Sequence, residues 1–177
     1  MRLVQAGDTP QLAVLFERYH AGLFRYLLQL SRNRALSEDL VQEVFIRVLK
    51  YTGSYDPSLS FRVWLYRLAR NCYFDSLRKQ HADIPSDEIS EIRSPEPMPE
   101  ELVVQKQDTA FLREALARMP EAKREILVLS RFHGLRYEEI AQILRCEIGT
   151  VKVRAYRALK ELREKFCELR GERLYDL

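Results

Sequence analysis

Residues 134–161 read GLRYEEIAQILRCEIGTVKVRAYRALKE. Apolar residues recur at helical spacing on either side of a break at Arg145–Gly149, giving a short helix over Tyr137–Leu144 and a longer one over Thr150–Leu169. A short helix, a tight turn and a longer helix are the proportions of a helix-turn-helix. In the longer segment Val151, Ala155, Ala158, Leu159, Leu162 and Phe166 fall at i, i+4, i+7, i+8, i+11 and i+15, which predicts one buried stripe. Lys152, Val153, Tyr156, Arg157 and Lys160 lie on the other side. Arg154, Arg163 and Lys165 add positive charge, against Glu161 and Glu164 nearby.

The pattern extends upstream. Helical spacing covers Phe111–Met119 and Glu121–Phe132, with Pro120 suited to a first helical turn and Gly134 in the following break. Residues 10 to about 80 are also helical in pattern, broken at Arg32–Ala35 and at Thr52–Ser60. The second break carries Gly53, Asp56, Pro57 and several serines, a loop signature. Ser37 is the expected cap of the helix holding Glu38 to Lys50, with the acidic pair Glu38–Asp39 set against the positive end of its dipole. No strand-type alternation is sustained, so the expected fold is all-α.

Residues 83–107 differ from both flanks. Pro85, Pro95, Pro97 and Pro99 fall here, with Asp83, Asp87, Glu88, Glu91, Glu96, Glu100 and Glu101 against Arg93 and Lys106. Such a stretch cannot build its own core and reads as an acidic linker. The expected organisation is a helical domain over 1–82, a linker over 83–107 and a helix-turn-helix domain over 108–177. Fully extended, the linker spans about 80 Å at ~3.3 Å per residue. Two turns of duplex DNA measure roughly 70 Å, so the domains can reach separate sites on one DNA.

The bulk numbers exclude several classes. Apolar runs such as Leu12–Phe16 fall far short of the roughly 20 residues that cross a bilayer. The N-terminus lacks a secretory pattern, and Cys72, Cys146 and Cys167 have neither disulfide nor zinc spacing. A cytoplasmic protein with no metal and no cofactor is expected. His20, His81 and His133 lie in three different segments, without a nucleophile motif or a Gly-rich phosphate loop, so no catalytic residues are assigned.

Three surfaces carry recognisable chemistry. The amides around Thr150 and the cations behind them suit a major-groove helix, although a basic solvated face would carry the same charge. After Ser37, Asp39, Gln42, Glu43, Ile46 and Lys50 share one side of a helix, opposite Leu40, Val41, Val44, Phe45, Val48 and Leu49. That outward patch suits docking to a basic or polar protein, or is simply solvated. In the next helix, Phe61, Leu65, Leu68 and Cys72 form a buried stripe with Trp64 in the core. Arg67, Arg70, Asn71, Phe74 and Arg78 form a second stripe of cations, an amide and a ring. Such groups hold an unpaired nucleic-acid strand, and also occur on ordinary surfaces.

Taken together these motifs resemble the extracytoplasmic-function sigma factors of the sigma-70 family. Gly134-Leu135-Arg136-Tyr137-Glu138-Glu139-Ile140-Ala141, Gly149-Thr150-Val151-Lys152 and Arg154-x-x-Arg157-Ala158 look like region 4, whose helix reads the −35 promoter element. Asp39-x-x-Gln42-Glu43-x-Phe45 is similar to region 2.2, and Phe61-Arg62-x-Trp64-Leu65-x-x-Leu68-Ala69-x-Asn71-x-x-x-Asp75-x-x-Arg78 to regions 2.3 and 2.4. The resemblance implies a non-catalytic subunit that directs RNA polymerase to promoters. It assigns Asp39, Gln42, Glu43 and Ile46 to polymerase docking, on the clamp helices of the largest subunit. Region 4 would meet the flap of the second-largest. Tyr55, Asp56, Ser58, Ser60, Arg67, Arg70, Asn71, Phe74, Asp75 and Arg78 are assigned to the −10 strand. Thr150, Lys152, Val153, Arg154, Tyr156, Arg157 and Lys160 are assigned to the −35 duplex. Val153 stands where the family often has Ser, which favours a thymine methyl over a polar base edge. An anti-sigma partner and no membrane insertion are further implications, and the acidic linker suits a basic channel of the polymerase. A helix-turn-helix regulator acting without polymerase, and an interaction adaptor, are the alternatives left by the residues themselves.

Overall fold

The structure, a computed structural model, describes residues 1–8, 10–82 and 103–171. Every regular element among the described residues is helical. The chain divides into two compact units, Met1–Glu96 and Pro97–Leu177. Most of the predicted linker, 83–102, lies outside the described residues.

The first unit holds α1 (Arg2–Gln5), α2 (Gln11–Ser31), α3 (Arg34–Lys50), a 3-10 turn at Thr52–Ser54 and α4 (Phe61–Ala82). Leu23, Tyr26, Leu27 and Leu30 on α2 meet Leu40, Val41, Val44, Phe45 and Val48 on α3 and Val63, Trp64, Leu65, Tyr66, Ala69, Cys72 and Tyr73 on α4. Leu23, Leu27, Val44 and Leu65 are fully buried. Each leucine so placed is worth ~1.5–3 kcal/mol relative to exposure, which is what clamps the three helices together.

Three expectations are corrected here. Asn33, not Ser37, caps α3. Arg32 closes α2 in the left-handed region (φ 56°), its N–H donating to Leu28 O at 2.9 Å. Asn33 is thereby left extended, and its Oδ1 accepts from the Leu36 N–H at 3.1 Å. Ser37 lies one turn inside, buried, its hydroxyl donating to Asn33 O at 2.6 Å and 2.9 Å from Ser31 Oγ. The pair Glu38–Asp39 accordingly falls beyond the first turn, and Glu38 pairs with Arg34 at 3.0 Å instead. Leu49 is exposed, because Val48, a rotation of roughly 100° away, takes the inward place at that level. Phe61 and Leu68 are half-buried, and Tyr66, Ala69 and Tyr73 fill the positions between them.

The second unit holds α5 (Val103–Ala117), α6 (Glu121–Leu127) running into a π-turn at Val128–Phe132, α7 (Tyr137–Leu144) and α8 (Ile148–Arg170). Helix α5 begins ahead of Asp108, since no proline interrupts the chain after Pro99. Pro120 caps α6 rather than entering its first turn. Leu116, Met119, Leu127 and Ala158 form a core cluster, with Leu112 and Leu162 packed on it. Glycine's tolerance of positive φ is used at Gly134 (φ 59°), where the chain reverses before α7. The turn of the helix-turn-helix is Arg145–Glu147, not Arg145–Gly149. Arg145 is the left-handed residue (φ 53°), Glu147 is the N-cap, and Gly149 already belongs to the first turn of α8.

Candidate nucleic-acid interface

The face of α8 away from the core is built by one helix alone. Val151, Ala155 and Ala158 are buried, anchoring α8 on α5, α6 and α7. That orientation turns Lys152, Val153, Arg154, Tyr156, Arg157 and Lys160 outward, all of them exposed, Tyr156 at 72% and Val153 at 49%. Thr150 is half-buried in the first turn. Among the described residues, no ion pair or side-chain hydrogen bond engages Lys152, Arg154, Arg157 or Lys160. The counter-charge is spent elsewhere. Glu161 is held by Lys123 of α6 and lies 3.9 Å from Lys165. An exposed ring, an apolar side chain and four unengaged cations can fill a groove and neutralise phosphates.

The predicted stripe of α8 is buried at Val151, Ala155 and Ala158 and is corrected beyond them: Leu159 is exposed, and Leu162 and Phe166 are half-buried. With Leu112, Leu162 and Phe166, and with Asp108, Thr109 and Arg163 at the rim, Leu159 lines an apolar groove of about 370 Å³ between α5 and α8.

The corresponding face of α4 is tied down at two of its three cations, Arg70 and Arg78. Arg67 and Arg70 are half-buried, and the Arg70 guanidinium lies 4.6 Å from the Phe74 ring centroid, a cation–π contact. Asn71 is exposed. Asp75 is engaged through both carboxylate oxygens: Oδ2 accepts from Arg47 Nη1 of α3 at 2.8 Å, and Oδ1 from Arg78. Hydrogen bonding from Arg47 holds the Asp75 carboxyl below the usual carboxylate range, with Arg78 adding to it against partial burial. Arg47 Nε also donates to Glu43 Oε1 at 2.7 Å, and these two carboxylates raise the Arg47 pKa. On α3, Asp39 and Gln42 are exposed, Ile46 is 58% exposed and Glu43 is half-exposed, so the predicted docking residues share an accessible face.

The loop between α3 and α4 departs from expectation at Tyr55. Its side chain is buried, with its ring 5.2 Å from that of Trp64 and 5.9 Å from that of Phe61, and its hydroxyl donates to Leu59 O at 2.9 Å. Burial raises its pKa. Tyr55 therefore forms the floor of the loop, its ring packed on those of Trp64 and Phe61. Asp56 and Ser58 remain exposed, and Asp56 Oδ1 accepts from the Ser58 N–H at 2.9 Å, which lowers its pKa. Ser60 is exposed directly before α4.

Two residues that the sequence reading passed over position these groups. Arg47 joins α3 to α4 as described. Gln5 of α1 donates from Nε2 to Thr52 O at 3.0 Å and to Tyr55 O at 2.9 Å, bracing the loop from the far N-terminus. The i, i+4 spacing of Arg47 from Glu43 was its only visible signal; Gln5 had none.

Comparison with known proteins matches both units. Residues 15–82 match the Sigma-70 region 2 family and residues 112–162 the Sigma-70 region 4 family. The chain is 31% identical to the ECF RNA polymerase sigma factor SigX of Bacillus subtilis, covering 96% of this chain and 89% of that one. It is 33% identical to the RNA polymerase sigma factor CarQ of Myxococcus xanthus, covering 97% and 98%. Among solved structures, the sigma factor RpoE of Bartonella quintana, crystallised with the anti-sigma factor NepR, is similar with a TM-score of 0.75 at 27% identity, over 89% of this chain and 96% of that one. The two helical units and their exposed faces define a sigma factor of the sigma-70 family. More narrowly, the chain belongs to its extracytoplasmic-function group. Sigma factors are non-catalytic specificity subunits of RNA polymerase. Among the described residues, no helix is long and apolar enough to cross a membrane.

Proposed function

We propose that this sigma factor seats on core RNA polymerase through α3 and reads its promoter with two different faces. Asp39, Gln42, Glu43 and Ile46 meet the clamp helices of the largest subunit, with Ile46 as the apolar centre of a polar patch. The face of α8 enters the major groove of the −35 element, Lys152, Val153, Tyr156 and Arg157 toward the bases and Thr150, Arg154 and Lys160 toward phosphates. Asp56, Ser58 and Ser60 in the loop, with Arg67, Arg70, Asn71, Phe74 and Arg78 on α4, receive the −10 strand. A base costs a few kcal/mol to extrude, so a site that binds only the extruded base reads sequence and stabilises melting together. The apolar groove between α5 and α8 fits a segment of the flap of the second-largest subunit. The acidic stretch 83–107 passes through a basic channel of the polymerase.

The observation that carries this reading is the set of unengaged cations on α8, joined in one chain to an accessible α3 face. A regulator acting alone needs the first and has no use for the second. The similarity to a sigma factor held by an anti-sigma factor supports regulation of this chain by such a partner. The test is transcription from a promoter library by core polymerase with and without the purified chain. New start sites are expected. Charge reversal at Asp39 and Glu43 with Gln42→Lys should abolish them while leaving duplex binding by the C-terminal unit intact. Unchanged initiation would overturn the reading.

A further inference from the structure

We propose that Arg47, which belongs to neither the docking surface nor the strand surface, is a positioning residue for both. This rests on the functional reading just given. Four charged groups form a continuous chain: Glu43 and Arg47 on α3, Asp75 and Arg78 on α4. Arg47 sits at the centre with its side chain 22% exposed, while Arg78 at the far end is 79% exposed. The chain thus begins on the face assigned to polymerase, passes through the half-buried α3–α4 seam and emerges on the stripe assigned to DNA.

The geometry depends on a guanidinium. Its Nε and Nη1 donors point in directions fixed by one plane, so satisfying Glu43 at 2.7 Å and Asp75 at 2.8 Å fixes both carboxylates at once. Asp75, so oriented, offers its second oxygen to Arg78 and holds that long side chain on the strand-facing side. A side chain already ordered loses less entropy when it meets a phosphate. On α3, Glu43 is held at the rim of the docking patch. An ammonium is a single point of charge and cannot hold two carboxylates in set orientations.

The test uses the full chain with core polymerase. Core binding is measured directly, and strand capture is measured as holoenzyme binding to a single-stranded −10 oligonucleotide, both across a salt series, alongside thermal melting. Arg47→Met should weaken core binding and strand capture each by roughly three- to tenfold, the range of charge-assisted pairs that are partly screened. Glu43→Gln should affect core binding, and should cost less on top of Arg47→Met than it does alone. Asp75→Asn should affect strand capture, and should likewise cost less in that background. A purely structural arginine would lower melting without producing these two separate non-additive pairs. If Arg47→Met does not fold, Arg47→Lys carries the test, with a loss of about threefold expected on at least one surface at unchanged melting. Binding within twofold of the parent at both surfaces, or losses that add in full, overturns the proposal alone. A parent chain that does not bind core polymerase overturns the functional reading and this proposal with it.

Discussion

Helices α4 and α8 both carry cations toward solvent, yet they hold them in opposite ways. On α8, Lys152, Arg154, Arg157 and Lys160 have no partner among the described residues. On α4, Arg70 lies over Phe74 and Arg78 is drawn to Asp75, which is itself fixed by Arg47. The difference matches the two forms of DNA proposed for them. A duplex is stiff, and its phosphates and base edges arrive already arranged, so mobile side chains can settle onto it. An unpaired strand brings no arrangement of its own. The protein must then supply the order, and cations ordered beforehand reduce the entropy lost on capture.

The comparison is most exposed to failure at Arg157. If α8 works through unengaged side chains, Arg157→Ala removes contacts to DNA and nothing inside the protein. Affinity for a −35 duplex should fall by about 1–3 kcal/mol, roughly five- to 150-fold, with thermal melting unchanged. Lys160→Ala should instead weaken binding evenly across sequences and reduce the salt slope by about 1. Titrations of duplex variants at several salt concentrations separate the two. A melting temperature lowered by Arg157→Ala would mean that the side chain has internal work, and the contrast with α4 would be lost.

The same contrast explains what the sequence could reveal. The face of α8 depends on one helix, so the 3.6-residue period was enough to place Val151, Ala155 and Ala158 inward and the cations outward. The all-α class follows from that period in the same way, and the division into two units from the acidic, proline-bearing stretch between them. Where the chain stops a helix was harder to see. Arg32 and Arg145 take the left-handed conformation usually given to glycine, so the cap at Asn33 and the turn ending at Glu147 had no glycine to mark them. The α4 surface was legible in its residue types and not in its ties. Arg47 meets Asp75 across 28 positions and Gln5 meets Tyr55 across 50, and spacing within one helix says nothing about either. The burial of Tyr55 was hidden for the same reason, since the rings that pack on it come from α4.

The loop before α4 sharpens the comparison. Gln5→Ala removes two hydrogen bonds to its backbone, worth about 0.5–1.5 kcal/mol each. Amide exchange around Thr52–Tyr55 should accelerate several-fold, and capture of the −10 strand should weaken in parallel. Binding of the −35 duplex should not change. Faster exchange with unaltered strand capture would show that the loop needs no bracing, against the view that the strand surface is organised in advance.

The smallest expected effect lies in pH. Asp75 has its pKa lowered, first by Arg47 and then by Arg78. A carboxylate of this kind contributes its stability above its unfolded pKa and loses it as pH falls through the lower folded value. The tie between α3 and α4 should therefore hold undiminished through the neutral range and fail only in acid below ordinary carboxylate titration. The partly exposed pair is worth about 0.2–1 kcal/mol. Cys72, buried on α4, sets an alkaline edge for the fold of this unit. Burial pushes its thiol up to about 11, so its contribution is complete below the unfolded thiol pKa and is lost as pH rises from there through the raised folded value. Between these edges the stability difference between the parent and Asp75→Asn should be flat, shrinking toward zero only in acid. Denaturant melts of both proteins across the range measure it. A difference that varies around neutrality would mean that some other titrating group holds Arg47, and that the order of α4 does not come from Asp75.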